Sequence, residues 1–501
     1  MSKRTQQIGG ALLAFASALA AGGCAVGPRF TPPAPPITDG YIAGPLPEAT
    51  AATPAHGGDP QRFQLGRELA GEWWTLFASP ELDALMQDAM AHYPDIAAQQ
   101  AALRAAWETV RAQEGLFFPQ LQGSVYAERE KVSGASIAPG FPGFITSIYQ
   151  ATVNVSYTLD VFGGERRALE GLEAQAEAQK FVLEASYLTL TSNVASTAIQ
   201  LASTTDQIRA TREIIAIEDK QLDFIRRRFD LGAQTRADVL QQESNVALVR
   251  ATLPGLEQQR AVTEHQLAVL TGRLPGATRP SGFTLADLKL PEDLPLSLPS
   301  SLVSQRPDIR QQQALLHQAS AAVGVATANL LPQLTLSAAL GGDSLVFSTL
   351  LQSGSGIWSV AGGITQPIFE GGALRAKRRA ALDTYDQVSA QYRLTVLKAF
   401  QNVADTLTAL EHDAETFQAE YQALQAADAG LRLVQEQYDA GAVNFASLLA
   451  AQLTYNQARL AYVQAEASRY VDTVTLFQAL GGGWWNRGTS GTKQAGTRQA
   501  P

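Results

Sequence analysis

Between residues 93 and 442 this chain is written twice. Tyr93-Pro94-Asp95-Ile96, followed by Gln99-Gln100, returns 213 positions later as Arg306-Pro307-Asp308-Ile309, followed by Gln312-Gln313. Phe118-Pro119-Gln120-Leu121 returns at the same displacement as Leu331-Pro332-Gln333-Leu334. Phe162-Gly163-Gly164 has a counterpart in Phe369-Glu370-Gly371-Gly372, and Phe229-Asp230-Leu231-Gly232-Ala233 in Tyr438-Asp439-Ala440-Gly441-Ala442. Four landmarks in one order at nearly constant spacing imply two structurally equivalent halves.

Each half reads as a helix, two β-segments and two very long helices. From Ser147 to Val161, Tyr149, Ala151, Val153, Val155, Tyr157, Leu159 and Val161 alternate with polar residues from Gln150 to Asp160. Leu334, Leu336, Ala338 and Leu340 alternate in the same way, as do Trp358, Val360 and Ile364, while Leu121 to Arg129 is a weaker example. Period-two alternation makes one face apolar and the other polar. Gly/Pro-rich loops, Val132 to Thr146 and Gly341 to Gly356, join each pair. The strands suit either a soluble sheet with one wet face or the roughly 9–11 residues that cross a bilayer.

The helical runs weigh towards the second. Glu165 to Arg228 contains no Pro and only Gly171, and 64 residues at a 1.5 Å rise reach about 96 Å. Ala373 to Tyr438 is similar. Both runs end near a glycine, Gly232 or Gly441, and return through Asp238 to Thr271 and Ser447 to Leu480, giving two long helical hairpins. Four strands cannot close a barrel, and a free sheet edge in lipid leaves backbone groups unpaired. Two copies would give eight strands with a filled interior; three give twelve with a polar lumen, so a homotrimer is expected.

Lys3 and Arg4 precede an apolar run from Ile8 to Ala21 and the small residues Gly22-Gly23-Cys24, the pattern of an export signal. Cys24 is the only cysteine and stands where the signal resembles that of a bacterial lipoprotein, which implies acylation of its thiol. Under the sorting rule carried by that resemblance, Ala25 favours the outer membrane. The expected divisions are a signal peptide over 1–23, a lipid-anchored Pro-rich linker over 24–70, repeats over 71–280 and 281–485, and a disordered tail over 486–501. Nine prolines between Pro28 and Pro60 make the linker extended. No later window approaches a spanning helix. A net charge of −9 with dispersed Lys and Arg argues against nucleic acid. The five histidines are not spaced as metal ligands, and no phosphate-cradling, nucleophile-elbow or zinc-protease motif occurs, so neither a cofactor nor catalysis is expected.

Taken together, these residues resemble the outer membrane efflux protein family, the TolC-like outer membrane factors, most closely its NodT-type lipoprotein branch. Cys24-Ala25-Val26-Gly27-Pro28-Arg29-Phe30, Trp73-Trp74, Arg306-Pro307-Asp308-Ile309, Pro367-Ile368-Phe369-Glu370-Gly371-Gly372, Ala399-Phe400-Gln401-Asn402-Val403 and Tyr438-Asp439-Ala440-Gly441 carry the resemblance nearly end to end. It implies an α+β membrane protein: a trimeric twelve-stranded barrel, four strands per chain, continuing into an α-helical periplasmic tunnel. The implied function is passive conduction of small molecules from a resistance-nodulation-division pump through a periplasmic adaptor. The alternatives are the exit duct of an ABC-driven type I secretion system and a structural lipoprotein without a pore.

The resemblance places adaptor contact and constriction at the hairpin tips, Gly232 with Gln234, Thr235 and Arg236, and Gly441 with Val443, Asn444 and Phe445. Each glycine also suits a plain turn. Ala450 and Leu453 stand where multidrug members carry an Asp and an Arg at the aperture, leaving Asp238 as a possible aperture charge or a solvated helix-start carboxylate. Arg226 to Arg228 read as a solvated or inter-helix face, and Trp73-Trp74 as packing. Gly163, Gly164, Gly371 and Gly372 mark passage from strand to helix, and Pro119 and Pro332 passage from helix to strand.

Overall fold

The computed structural model describes residues 25–38, 40–136, 138–277 and 283–487. Cys24, the signal segment and residues 488–501 lie outside them. In chain order the elements are β1 (Arg62–Leu65), α1 (Pro80–His92), α2 (Pro94–Glu114), β2 (Gln120–Val132), β3 (Phe144–Leu159), α3 (Gly164–Asp230) and α4 (Arg236–Leu270). They continue with β4 (Asp293–Leu296), α5 (Pro299–Gln305), α6 (Pro307–Ala328), β5 (Gln333–Ser344), β6 (Gly356–Thr365), α7 (Ala373–Asp439) and α8 (Phe445–Ala479). The expected order recurs in both halves. Each of α3 and α7 has 67 residues, about 100 Å of helix. Among the described residues no helix is long and apolar enough to cross a membrane.

The chain divides into two compact units, and α2, α3, α6 and α7 contribute to both. The first contains residues 25–33 and one antiparallel sheet in the order β2-β3-β5-β6. Its register sets Leu121 opposite Val155, Val153 opposite Leu340, and Leu340 opposite Trp358. The strands run further into the loops than the glycines suggested, β2 to Val132 and β3 back to Phe144, because the ladder continues wherever both backbones remain extended.

Residues 25–33 are laid against this unit. The Val26 N–H donates to Phe162 O at 3.0 Å, and Arg167 Nε donates to Val26 O at 3.1 Å. Phe30 stacks on His317 at 4.4 Å, and His317 meets Glu170 at 2.8 Å. Gly27 has φ +97°, and a Cβ there would lie 2.5 Å from Gly324 Cα.

The second unit holds α4 and α8, the parts of α3 and α7 from residues 180 and 393 onward, and residues 34–101 with α1 and the β1–β4 pair. β1 and β4 pair in parallel, Arg62 opposite Asp293, a contact the sequence did not announce. Trp73 is buried against Trp74, Phe77 and Phe477, with centroids 5.5–6.4 Å apart, so the tryptophan pair is packing. Arg306 donates to both Asp308 oxygens and to Ala479 O, so in the second half the Arg-Pro-Asp turn is a joint between α5 and α6.

The Pro-rich segment is not the free linker expected. Tyr41, Thr50 and Thr53 are buried, and Tyr41 OH donates to Ser297 O at 2.8 Å. Arg469 on α8, 1% exposed, donates to Gly57 O at 2.5 Å, Asp59 O at 3.1 Å and Thr50 Oγ1 at 3.4 Å. An extended proline-rich strap cannot form a core of its own, but its unpaired carbonyls are what a buried guanidinium requires. Trp484 Nε1 donates to Gln305 O, and Asn486 Nδ2, in the first residue of the expected tail, donates to Leu69 O; residues 488–501 of that tail lie outside the described residues.

Candidate functional site

Two surfaces stand out, one in each unit. In the sheet, alternation sends Leu121, Val125, Val153, Leu336, Leu340, Trp358, Val360 and Ile364 to one face, all of them exposed. The other face carries Gln122, Ser124, Glu128, Thr152, Asn154, Ser156, Thr335 and Ser337. Ser124 and Thr152 hydroxyls meet at 2.9 Å, and Asn154 Nδ2 donates to Ser124 Oγ at 3.2 Å. Aligned hydroxyl and amide groups satisfy one another or water, whereas the apolar face offers nothing to water. Among the described residues β2 and β6 each leave one edge unpaired.

Residues at the sheet's junctions take the conformations their type allows. Pro119 and Pro332 each stand one residue before a strand, where no ladder N–H is missed. Gly163, Gly371 and Gly372 have φ of +75°, +59° and +86°, and Gly164 opens α3. At Gly163 a Cβ would also strike Ala25, 2.6 Å away.

The hairpin tips repeat one design. Gly232 and Gly441 have φ of +74° and +75°, and the next N–H reaches back to a helix carbonyl, Ala233 to Arg228 and Ala442 to Gln437, both at 2.8 Å. This is the left-handed closure that frees a helix end from orphan carbonyls. Three residues after each glycine comes the next helix's cap. Thr235 Oγ1 accepts from the Asp238 N–H, and Asp238 Oδ2 accepts from the Thr235 N–H at 3.1 Å. In the second tip Asn444 Oδ1 accepts from the Ser447 N–H at 3.0 Å. The Asp238 carboxylate is thus engaged in capping its own helix.

Behind the tips the two hairpins share a core of Leu222, Ile225, Val239, Tyr438, Phe445 and Leu448. Tyr438 OH donates to Gln234 Oε1 at 3.1 Å, and the Arg228 guanidinium sits 5.3 Å from the Tyr438 ring. Burial raises the Tyr438 phenol above its ordinary pKa. The expected tip residues therefore separate. Gly232, Thr235, Arg236, Gly441 and Asn444 are exposed; Gln234 and Val443 are half-buried. Phe445, 4% exposed, offers no outward surface because its ring fills the space beside Tyr438. Ala450 and Leu453 are exposed on α8. Arg226 pairs with Glu243 at 2.7 Å across the first hairpin.

Sequence reasoning missed Glu218. This α3 carboxylate is 1% exposed and accepts from Gln242 Nε2 at 2.6 Å and Asn245 Nδ2 at 2.9 Å on α4, with Asn456 Nδ2 of α8 at 3.4 Å. The only available signal was the Gln242/Asn245 pair three residues apart, which on a helix cannot be told from a wet face. Among the described residues no group of three or more His, Cys, Asp or Glu side chains could hold a metal ion.

With this geometry established, comparison with known proteins gives a consistent answer. The sequence model of the outer membrane efflux protein family matches residues 85–273 and 298–482. The chain is 32% identical over 424 residues to the pyoverdine export outer membrane protein OpmQ of Pseudomonas aeruginosa, covering 82% of this chain and 87% of that protein. It is 29% identical over 491 residues to the toluene efflux pump outer membrane protein TtgF of Pseudomonas putida, covering 95% and 97%. The fold matches the outer-membrane channel OprN with a TM-score of 0.82 at 26% identity, covering 92% of this chain and 100% of that one.

Proposed function

Because the chain belongs to the outer membrane efflux protein family, we propose that it forms the lipid-anchored, homotrimeric exit duct of a tripartite pump. In this reading it conducts small toxic solutes passively from a resistance-nodulation-division transporter and its periplasmic adaptor. The observation that carries this reading is the sheet, with one exposed apolar face, one polar face and two free edges. Such a sheet needs hydrocarbon on one side and water on the other. A free edge in lipid costs several kcal/mol per unpaired group, which closure removes. Three copies supply twelve strands, enough for a lumen lined by the polar face.

Each remaining assignment follows from position. Cys24 takes the acyl chains, and the exposed tip residues Gly232, Thr235, Arg236, Gly441 and Asn444 meet the adaptor. Asp238, spent on its capping box, adds little to an aperture charge. The names of the two relatives, pyoverdine export and toluene efflux, support small organic molecules as the cargo class.

A photo-crosslinking residue at Asn444, activated in cells and followed by mass spectrometry of the adduct, tests the partner. An adaptor with a resistance-nodulation-division pump is expected. An ABC transporter in its place would assign the duct to type I protein secretion, and a monomer without partners would leave a structural lipoprotein.

A further inference from the structure

The two free edges of the sheet continue into two helices at one end. α2 enters β2, and β6 leaves into α7. Because the four strands alternate in direction, β6 of one copy can pair with β2 of the next in the antiparallel sense the sheet already uses. That pairing sets the start of α7 beside the end of α2 of the next copy, the helices running in opposite directions. The inference rests on the trimeric reading above.

The helix faces left free are complementary. On α2, Leu103, Ala106, Val110 and Gln113 turn inward, and Gln113 Nε2 donates to Glu165 of α3 at 2.6 Å. At 100° per residue the opposite face carries Arg104, Ala105, Glu108 and Ala112, all exposed. On α7, Leu374, Ala381 and Tyr385 turn inward, and Arg378 Nε donates to Thr327 of α6 at 3.3 Å. Its opposite face carries Ala376, Arg379, Asp383 and Ala390, again all exposed.

Distances along the helices agree. Glu108 lies six residues from the end of α2 at Glu114, and Arg379 six from the start of α7 at Ala373, each about 9 Å of rise. Arg104 and Asp383 lie ten residues in, about 15 Å. Among the described residues Arg104, Arg379 and Asp383 have no ion pair, and Glu108 has only the exposed one with Arg111.

We propose that two ion pairs, Glu108 with Arg379 and Arg104 with Asp383, form the seam between neighbouring copies of this chain, with alanines allowing close helix approach. The order of signs also sets register. A slip of one turn would bring Glu108 against Asp383, two like charges.

The test uses the full-length protein in its own membrane, where Cys24 is the only native thiol. The double variant Glu108→Cys/Arg379→Cys should give covalently linked trimers under oxidation. The one-turn-slipped pair Glu108→Cys/Asp383→Cys should give about fivefold less, and neither single variant any. Independently, Arg379→Glu should lower the trimer recovered in detergent about fivefold, and Glu108→Arg/Arg379→Glu should restore it. A wild-type trimer in which the first cysteine pair stays unlinked and Arg379→Glu is harmless overturns the seam and leaves the channel reading intact. A wild-type monomer overturns the channel reading, and the seam with it.

Discussion

Replacing Arg469 by Met should release the Pro-rich strap while leaving α8 in place. The side chain is 1% exposed, donates to the Gly57 and Asp59 carbonyls and lies 5.7 Å from the Phe417 ring. A hydrogen bond from a charged group contributes about 1.5–3 kcal/mol, and burial of the guanidinium offsets part of that sum. Burial holds the pKa of Arg469 below its ordinary value, the mark of that offsetting cost. Met keeps the stem's volume and removes both the donors and the buried charge, so the net local loss is about 2–4 kcal/mol. Strap amides report it directly. The Thr50 N–H donates to Gln61 O and the Thr53 N–H to Gly58 O, at 2.9 and 2.8 Å. Their hydrogen exchange should accelerate about 30- to 1,000-fold, with α8 amides unchanged. Arg469→Lys should rescue only partly, since an ammonium cannot span carbonyls that a planar fork bridges. Unchanged protection at Thr50 and Thr53 in Arg469→Met would refute the view that this cation holds the strap.

Three further outcomes are expected. Burial, then the neighbouring Asp413 carboxylate, pushes the Asp472 carboxyl up to about 8. The native state therefore binds more protons than the unfolded chain between about pH 4 and 8, and its stability falls as pH rises through that window. Thermal melts from pH 5 to 9 should show the wild type losing stability with pH, and Asp472→Asn exceeding it by about 2 kcal/mol above pH 8. Glu218→Gln turns a carboxylate that accepts from three amide side chains into a group that presents a donor of its own; at about 1–3 kcal/mol, exchange of the α4 amides near Asn245 should quicken, and no change would remove Glu218 from the hairpin's stability. Gly27→Ala meets both φ +97° and the Gly324 backbone, a strain of about 1–3 kcal/mol; trypsin should then cut at Arg29 faster than in the wild type, and equal rates would show that the segment is held by other contacts.

Elements whose signal is periodic over many residues were legible in advance: four strands alternating with period two, and paired hairpins free of proline over their long outward helices. Turn chemistry was legible as well, since only glycine adopts the left-handed backbone at Gly232 and Gly441 at no steric cost. Contacts between residues far apart in sequence were not. Nothing in Arg62–Leu65 announces a parallel partner at Asp293–Leu296, and the strap's composition spoke for freedom where Arg469 imposes attachment. Phe445 illustrates the limit at a site: its place beside a tip glycine suggested outward contact, but whether a ring faces a partner or a neighbouring helix depends on helix rotation, which a short motif does not record.

The sequence alone therefore determined the duplication, the strand and helix order, the two-faced sheet and the turn positions, because each follows from local backbone sterics and residue periodicity. Tertiary structure decided which polar groups are buried and what satisfies them: Glu218 among amides and Arg469 among strap carbonyls. Desolvation depends on everything within a few ångströms in space, and for these groups most of those neighbours lie tens to hundreds of residues away along the chain.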